Sequence, residues 1–142
     1  MLNLDDLMVF NTKKGGRNLK NRSGICFSIS KNKKEYVGIK FYFAKNIAEK
    51  YGITDKVKIK FACSKVNLYQ WFLIINDDGY TVRADANGNS FSCFMSYPFK
   101  FIDNKKLQFI SENNIKFYED KNIVSFSVVD VFKDNELILN ED

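Results

Sequence analysis

The sequence predicts an α+β fold that is mostly β: a single small domain of roughly eight antiparallel strands, arranged as a barrel or a sandwich, with one or two short helices. Three observations predict this class. The chain has 142 residues, of which 45% are hydrophobic and 15% aromatic, enough to form one core. Several short segments alternate apolar and polar residues, as half-buried strands do. Turn-forming residues separate these segments at intervals of about 8–12 residues, which is typical of sandwiches and barrels.

The N-terminal half contains both predicted helices. Asn3 is a candidate N-cap, and Leu4, Leu7 and Met8 follow it with helical spacing. Apolar alternation then predicts three strands, at residues 25–30, 37–43 and 56–63. Between the second and third of these strands, residues 44–51 change to helical spacing, and Gly52 is a natural helix stop.

The C-terminal half is predicted to be almost entirely β. Asp78-Gly79 and Asn87-Gly88 are turn signals, and the second of them is typical of a tight hairpin. Predicted strands lie at residues 69–76, 80–84, 90–97, 107–111, 115–119 and 123–132, with a short edge strand at 136–140. We divide the chain into residues 1–34, a short helix with a basic arm, and residues 35–142, the β-rich globular domain.

Composition excludes several classes of function. No apolar run approaches the roughly 18 residues needed to span a bilayer, and residues 1–10 lack the basic cluster of a secretory signal. We therefore expect a cytoplasmic protein with no membrane partner. The three scattered cysteines predict buried, reduced thiols rather than a disulfide framework or a metal clip. The absence of histidine excludes Ser-His and Cys-His nucleophiles and His-ligated metals, so we predict no cofactor, no metal site and no catalytic residue.

Charge is distributed unevenly along the chain. Residues 1–65 contain 15 Lys and Arg against 5 Asp and Glu, and residues 66–142 contain 7 against 12. A basic half of this kind favours contact with a polyanion, although a solvated loop is an equally weighted alternative. A third alternative is that the acidic C-terminal half folds onto the basic half, or that the basic half pairs with another protein. The densest basic stretch supplies the first candidate contacts: Lys13, Lys14, Arg17, Lys20, Arg22, Lys31, Lys33 and Lys34.

Three further lysines alternate with core residues on a predicted strand. Lys56, Lys58 and Lys60 all point outward if Val57, Ile59 and Phe61 point inward. Such a stripe can track phosphates, or it can protect an edge strand from pairing with other chains. The sequence favours neither of these interpretations.

One segment resembles a known family. Residues 38–61, GIKFYFAKNIAEKYGITDKVKIKF, read as strand, short helix, glycine turn and strand, which resembles the AbrB-like swapped-hairpin unit. Tyr51-Gly52-Ile53 matches the first family turn, while the usual proline after the first strand and the arginines of the DNA face are absent. The resemblance implies a dimer that binds DNA, with Lys40, Lys45 and Lys50 as the contacts by position.

A second pattern suggests metal-dependent nuclease chemistry. Glu119-Asp120-Lys121 matches the ExK end of the PD-(D/E)xK pattern, in which carboxylates hold a divalent metal and a lysine positions water. Asp103 is a candidate for the first carboxylate. The same residues also fit a solvated turn before the strand that starts at Ile123, and we favour the turn.

We therefore predict a non-enzymatic intracellular protein that acts on nucleic acid or on a nucleoprotein machine through its basic N-terminal half. The first alternative is an inhibitor of the anti-CRISPR or other anti-defence type, known from phages and mobile elements, that binds a host nuclease complex. Its contacts would be acidic: Asp130, Asp134 and Glu136. The second alternative is the metal-dependent nuclease. A homodimer is compatible with each hypothesis.

Overall fold

The computed structural model describes residues 4–10, 24–76, 78–101, 107–133 and 136–140. Over these residues the chain forms two antiparallel β-sheets, which confirms the predicted mostly-β class and selects the sandwich. Sheet A contains β1 (Leu7–Phe10), β4 (Lys58–Ser64), β5 (Gln70–Asn76), β6 (Tyr80–Thr81), β10 (Lys116–Tyr118) and β11 (Ile123–Ser127). Sheet B contains β2 (Ile25–Lys31), β3 (Val37–Ala44), β7 (Arg83–Ala84), β8 (Ser90–Ser96) and β9 (Leu107–Ile110).

Strand order places the longest strands inside each sheet. Sheet A runs β1-β4-β5-β11-β10, with β6 paired to the first part of β4, and sheet B runs β7-β8-β3-β2-β9. Side chains alternate between the core and the outside along each strand. In β4, for example, Ile59, Phe61 and Cys63 are buried in the core, so Lys58 and Lys60 face away from it.

The core between the sheets is unusually aromatic. Trp71 on β5 is completely buried, and its indole N–H donates a hydrogen bond to the Leu68 carbonyl at 2.9 Å. Six phenylalanine rings have centroids within 6.4 Å of the Trp71 ring: Phe27, Phe41, Phe61, Phe99, Phe126 and Phe132. These rings come from both sheets and from the loops beyond β8 and β11, so one residue joins the two layers.

One segment passes from sheet A into sheet B. β6 pairs with β4, β7 pairs with β8, and Val82 lies between β6 and β7. The Val82 N–H donates to the Val57 carbonyl and the Val82 carbonyl accepts from the Lys56 N–H, both at 2.8 Å. The strand predicted at 80–84 is therefore two short strands that link the layers at one margin.

The predicted helix between β3 and β4 is present as α1 (Lys45–Tyr51). Ile47, Ala48 and Tyr51 bury its apolar face, and the Tyr51 ring lies 4.9 Å from that of Phe117. Gly52 ends the helix with φ of 75°, a conformation that glycine adopts without steric cost. No helix among the described residues is long and apolar enough to cross a membrane.

Three local predictions are wrong. Leu4–Asp6 is only a 3₁₀ turn, and the residues after it form β1 instead of continuing a helix. The strand predicted at 123–132 ends at Ser127, because the Val128 carbonyl accepts the Val131 and Phe132 N–H groups in a turn. Residues 136–140 form no strand, although Leu139 makes an isolated bridge with Phe99.

The division at residue 34 does not separate two structural units among the described residues. It falls in the turn of the β2–β3 hairpin, and β1 and β2 are strands of the two sheets. The described residues on both sides of residues 11–23 belong to the sandwich.

Candidate nucleic-acid interface

The β2–β3 hairpin presents the described part of the predicted basic arm. Lys31 ends β2, and Lys33 and Lys34 lie in the turn, where all three are exposed. The Asn32 side-chain oxygen accepts the N–H groups of Lys34 and Tyr36 at 2.8 and 3.0 Å, so this turn has a fixed shape. The hairpin therefore holds two adjacent lysine side chains in solvent on an ordered support.

Only one of these three lysines is paired with a described acid. The Lys31 ammonium lies 2.9 Å from the Glu35 carboxylate and 5.5 Å from the Phe101 ring centroid. Lys33 and Lys34 form no ion pair within the described part of the chain. They are thus available to an external anion.

The predicted stripe on β4 is present in part. Lys58 is exposed and Lys60 half-buried, and both lie on the outer face of sheet A, the face turned away from sheet B. Lys56 is exposed but precedes the strand and has φ of 74°, so it does not belong to the strand alternation. The edge-protection interpretation is wrong, because β4 pairs with β5 on one side and with β1 and β6 on the other.

Lys60 is the one stripe residue with a described ion-pair partner. Its ammonium lies 3.0 Å from the Asp78 carboxylate, which is exposed. The hydrogen bond and the charge of Lys60 hold the pKa of Asp78 below its ordinary value. Lys56 and Lys58 have no such partner among the described residues.

Acidic and basic residues are distributed differently between strands and connecting segments, a pattern that is not seen when the chain is divided into two halves. No Asp or Glu occupies any strand of the two sheets. Six basic residues do: Lys31, Lys40, Lys58, Lys60, Arg83 and Lys116. The described carboxylates lie in turns, in α1 and in loops, so the strand surfaces carry formal charge of one sign.

The outer face of sheet B is buried along its central strand, β3. Lys40 is 7% exposed, with its ammonium 5.3 Å from the Tyr42 ring centroid, and Ser92 is also buried. Phe94 departs from the serine pattern of β8 because its ring occupies the space above Gly38, which has no side chain. Tyr42 and Phe94 therefore contact the sheet's own residues, whereas Phe109 on β9 is 45% exposed on the same face.

The contacts implied by the AbrB-like resemblance lie in different settings. Lys40 is buried, Lys45 is exposed at the start of α1, and Lys50 is exposed at its end. Lys50 forms an ion pair with Glu112 at 2.9 Å, and the hydrogen bond to Glu112 raises the Lys50 pKa. The strand, helix, glycine turn and strand follow in the order that the resemblance suggests, with β3 in sheet B and β4 in sheet A.

The alternative candidate residues are exposed or lie outside the described residues. Asp130 and Glu136 are exposed and form no ion pair in the described ranges, whereas Asp134 lies outside them. Glu119 lies in the turn between β10 and β11, where its carbonyl accepts the Asn122 N–H, as the turn interpretation predicted. Asp103 is outside the described residues, and no described cluster of three metal-ligating side chains exists.

Most of the predicted arm also lies outside the described residues. This holds for five of its eight candidate contacts: Lys13, Lys14, Arg17, Lys20 and Arg22. Their role stays a prediction from sequence.

Comparison with known proteins gives no relative from which a function could be transferred. No protein-family model, curated protein or solved structure matches the chain. The AbrB-like resemblance therefore stays a prediction.

Sequence reasoning missed Lys116 as a possible contact. Lys116 lies on β10, exposed, on the same outer face of sheet A as Lys58 and Lys60. The segment that contains it is short and belongs to the acidic half of the chain. Its link to β4 depends on the order β4-β5-β11-β10, which no local pattern reveals.

Proposed function

We propose that the protein is a non-enzymatic binding protein that contacts nucleic acid, alone or within a nucleoprotein machine, through its basic N-terminal half. The observation that carries the proposal is the exposure, on two ordered supports, of lysines that form no ion pair with an acid in the described part of the chain. These are Lys33 and Lys34 on the β2–β3 turn and Lys56 and Lys58 at the start of β4.

Unpaired lysines favour phosphate binding for an electrostatic reason. An ammonium already paired with a carboxylate must lose that partner before it binds a phosphate, whereas an unpaired one releases only solvent and counterions. The strands also carry no carboxylate that would repel a phosphate backbone approaching either sheet. The carboxylates of the described residues lie instead in turns, in loops and in α1.

The test is binding to fluorescently labelled single- and double-stranded DNA and RNA, measured by anisotropy between about 50 and 200 mM salt. For duplex DNA, each lost phosphate contact reduces the slope of log affinity against log salt by about 0.9. We therefore expect Lys33→Gln/Lys34→Gln to reduce that slope by up to about 1.8.

A matched control separates specific contacts from a general change in net charge. Lys100→Gln/Lys133→Gln removes two exposed lysines outside the candidate set. This variant therefore has the same net charge as Lys33→Gln/Lys34→Gln. The proposal predicts that Lys33→Gln/Lys34→Gln weakens nucleic-acid binding more than Lys100→Gln/Lys133→Gln does. Equal effects, or no binding of the unsubstituted protein to any of the four nucleic acids at about 50 mM salt, would contradict it.

Exposed acids on the C-terminal half support the inhibitor as a second candidate function. Asp130 and Glu136 are exposed and free of described ion pairs, so a basic groove of a nuclease complex is a suitable partner. Asp130→Asn/Glu136→Gln would then weaken inhibition of such a complex, while Lys33→Gln/Lys34→Gln would not. This outcome, together with absent nucleic-acid binding, would favour the second function over the first.

A further inference from the structure

The β7–β8 turn, residues 85–89, contains the sole Asn-Gly pair of the chain. Asn87 is exposed in this turn. Gly88 has φ of 70°, and among the described residues nothing beyond its chain neighbours lies within 4 Å of a Cβ built on it. The space beside Gly88 is therefore open, and water reaches the Asn87 side chain.

An Asn-Gly pair in an open turn can modify itself. The side-chain amide of asparagine is chemically labile, and glycine has no side chain to hinder attack by its own backbone nitrogen. The Gly88 nitrogen forms a bond to Cγ of Asn87 while the bond from Cγ to Nδ2 breaks, and Nδ2 leaves as ammonia with the proton from Gly88. One water molecule then opens the five-membered imide ring. Opening at Cγ gives aspartate, and opening at the backbone carbonyl carbon gives isoaspartate.

Asp85 holds the turn in a form that opposes this reaction. Its Oδ1 accepts the N–H groups of Asn87 and Asn89 at 3.1 and 2.9 Å, and its Oδ2 accepts the Ser90 hydroxyl at 3.0 Å. Its backbone carbonyl accepts the Gly88 N–H at 3.1 Å. The nitrogen that must lose a proton is therefore hydrogen-bonded through that proton, and the neighbouring carboxylate disfavours a second negative charge there.

The turn lies where local opening costs least. β7 has only two residues, Arg83–Ala84, and it pairs with β8 at the margin of sheet B. Segments held by few hydrogen bonds open at lower free energy than the interior of a sheet. Opening releases the Gly88 N–H, so the rate of modification follows how often the turn opens.

We propose that Asn87 is a self-modification site, converted by water to aspartate and isoaspartate at a rate that Asp85 limits by keeping the turn closed. The inference goes beyond the proposed function, since it requires neither nucleic acid nor an enzyme. Aspartate at position 87 places a second carboxylate near Asp85, and isoaspartate adds one atom to the main chain of the turn. Both products weaken the hydrogen bonds that Asp85 accepts, because like charges repel and the added atom displaces the N–H groups.

The test is incubation of the folded full chain at mildly alkaline pH, followed by peptide mass mapping. Conversion replaces an amide NH2 by OH and adds about 1 Da. Isoaspartate is detected separately with a methyltransferase that is specific for it. We expect the mass gain in the peptide that contains Asn87 and its loss in Asn87→Gln, since the longer side chain must close a six-membered ring. Asn89→Gln is the matched control in the same turn and should leave the gain at Asn87 unchanged.

Three comparisons test the role of Asp85. Asp85→Ala removes the carboxylate, so we expect modification to be about tenfold faster, as the loss of one charge-assisted hydrogen bond implies. Asp85→Asn keeps an oxygen acceptor without the charge and should accelerate modification less. The unsubstituted chain in urea, which needs no variant, should also react at least about tenfold faster than the folded chain. Trp71 fluorescence confirms that each variant is folded, since this residue is completely buried.

Three outcomes would overturn the inference. The first is mass gain at other asparagines while Asn87 stays intact. The second is an equal rate in the folded chain, the urea-unfolded chain and Asp85→Ala, because the turn would then give no protection. The third is conversion of Asn87 in urea alone, absent from both folded proteins, which would assign the protection to the whole hairpin instead of Asp85.

Discussion

A side chain added at Gly24 would test how closely β9 approaches the entrance to β2. Gly24 has φ of 97°, which L-residues with a side chain rarely adopt. A Cβ built at this position overlaps the carbonyl oxygen of Ile110 and lies 3.1 Å from the Glu112 nitrogen. Both obstacles are backbone atoms, which cannot move aside as a flexible side chain does.

The cost of Gly24→Ala is the sum of two terms. Backbone strain at positive φ contributes about 1–2 kcal/mol. Overpacking against a fixed backbone contributes about 1–3 kcal/mol. Gly88→Ala is the matched control, because Gly88 has φ of 70° and its Cβ would meet nothing within 4 Å. We therefore expect Gly24→Ala to lower the free energy of unfolding by about 1–3 kcal/mol more than Gly88→Ala does.

Urea unfolding measures this difference directly. Trp71 is the sole tryptophan and is completely buried, so its fluorescence reports the unfolding of the core in both variants. The midpoint should fall further for Gly24→Ala, with unchanged slopes. Equal free energies of unfolding for the two variants would refute the close approach of β9 to Gly24.

Three further predictions concern the core, the β7–β8 turn and the thiols. Trp71→Phe should lower the free energy of unfolding by about 2–4 kcal/mol, measured by circular dichroism in urea, since it leaves a cavity and removes the hydrogen bond to the Leu68 carbonyl. Hydrogen bonds, first from the Asn89 N–H, lower the pKa of Asp85 in the folded state below its ordinary value of 3.8. The stabilisation from these bonds is therefore complete only well above the ordinary pKa and is lost as the pH falls through the folded-state pKa. The difference in free energy of unfolding between the unsubstituted protein and Asp85→Asn should thus narrow from about pH 6 to about pH 3. Burial raises the pKa of Cys63 to about 11 and of Cys93 to about 12, so a thiol reagent at pH 8 should label neither until denaturant is added.

The sequence predicts strands well where apolar residues alternate along the chain. β3 and β4 follow the alternation of their apolar residues closely, and α1 appears where the period changes to 3.6. β1 was missed because Leu4, Leu7 and Met8 also fit a helical period. Pairing of Leu7–Phe10 with β4 decides that conflict, and no local pattern contains that contact.

The candidate site was predictable only in pieces, for the same physical reason. Lys58 and Lys60 point outward because Ile59 and Phe61 are buried, and alternation alone shows this. That β4 is an interior strand, and that Lys116 shares its outer face, depends on contacts between segments distant in sequence. The absence of acids from the described strands likewise becomes visible only after the strand boundaries are known.

The distribution of strand lengths has a consequence for the behaviour of the protein at high concentration. Strands of five to eight residues are all interior, whereas the sheet margins are β1, β6, β7, β9 and β10, none longer than four residues. A short margin offers few open backbone groups to a neighbouring molecule, so strand addition between folded copies gains little. We therefore expect strand addition at the margins of the described sheets to be weaker than it would be at a margin strand of seven or eight residues.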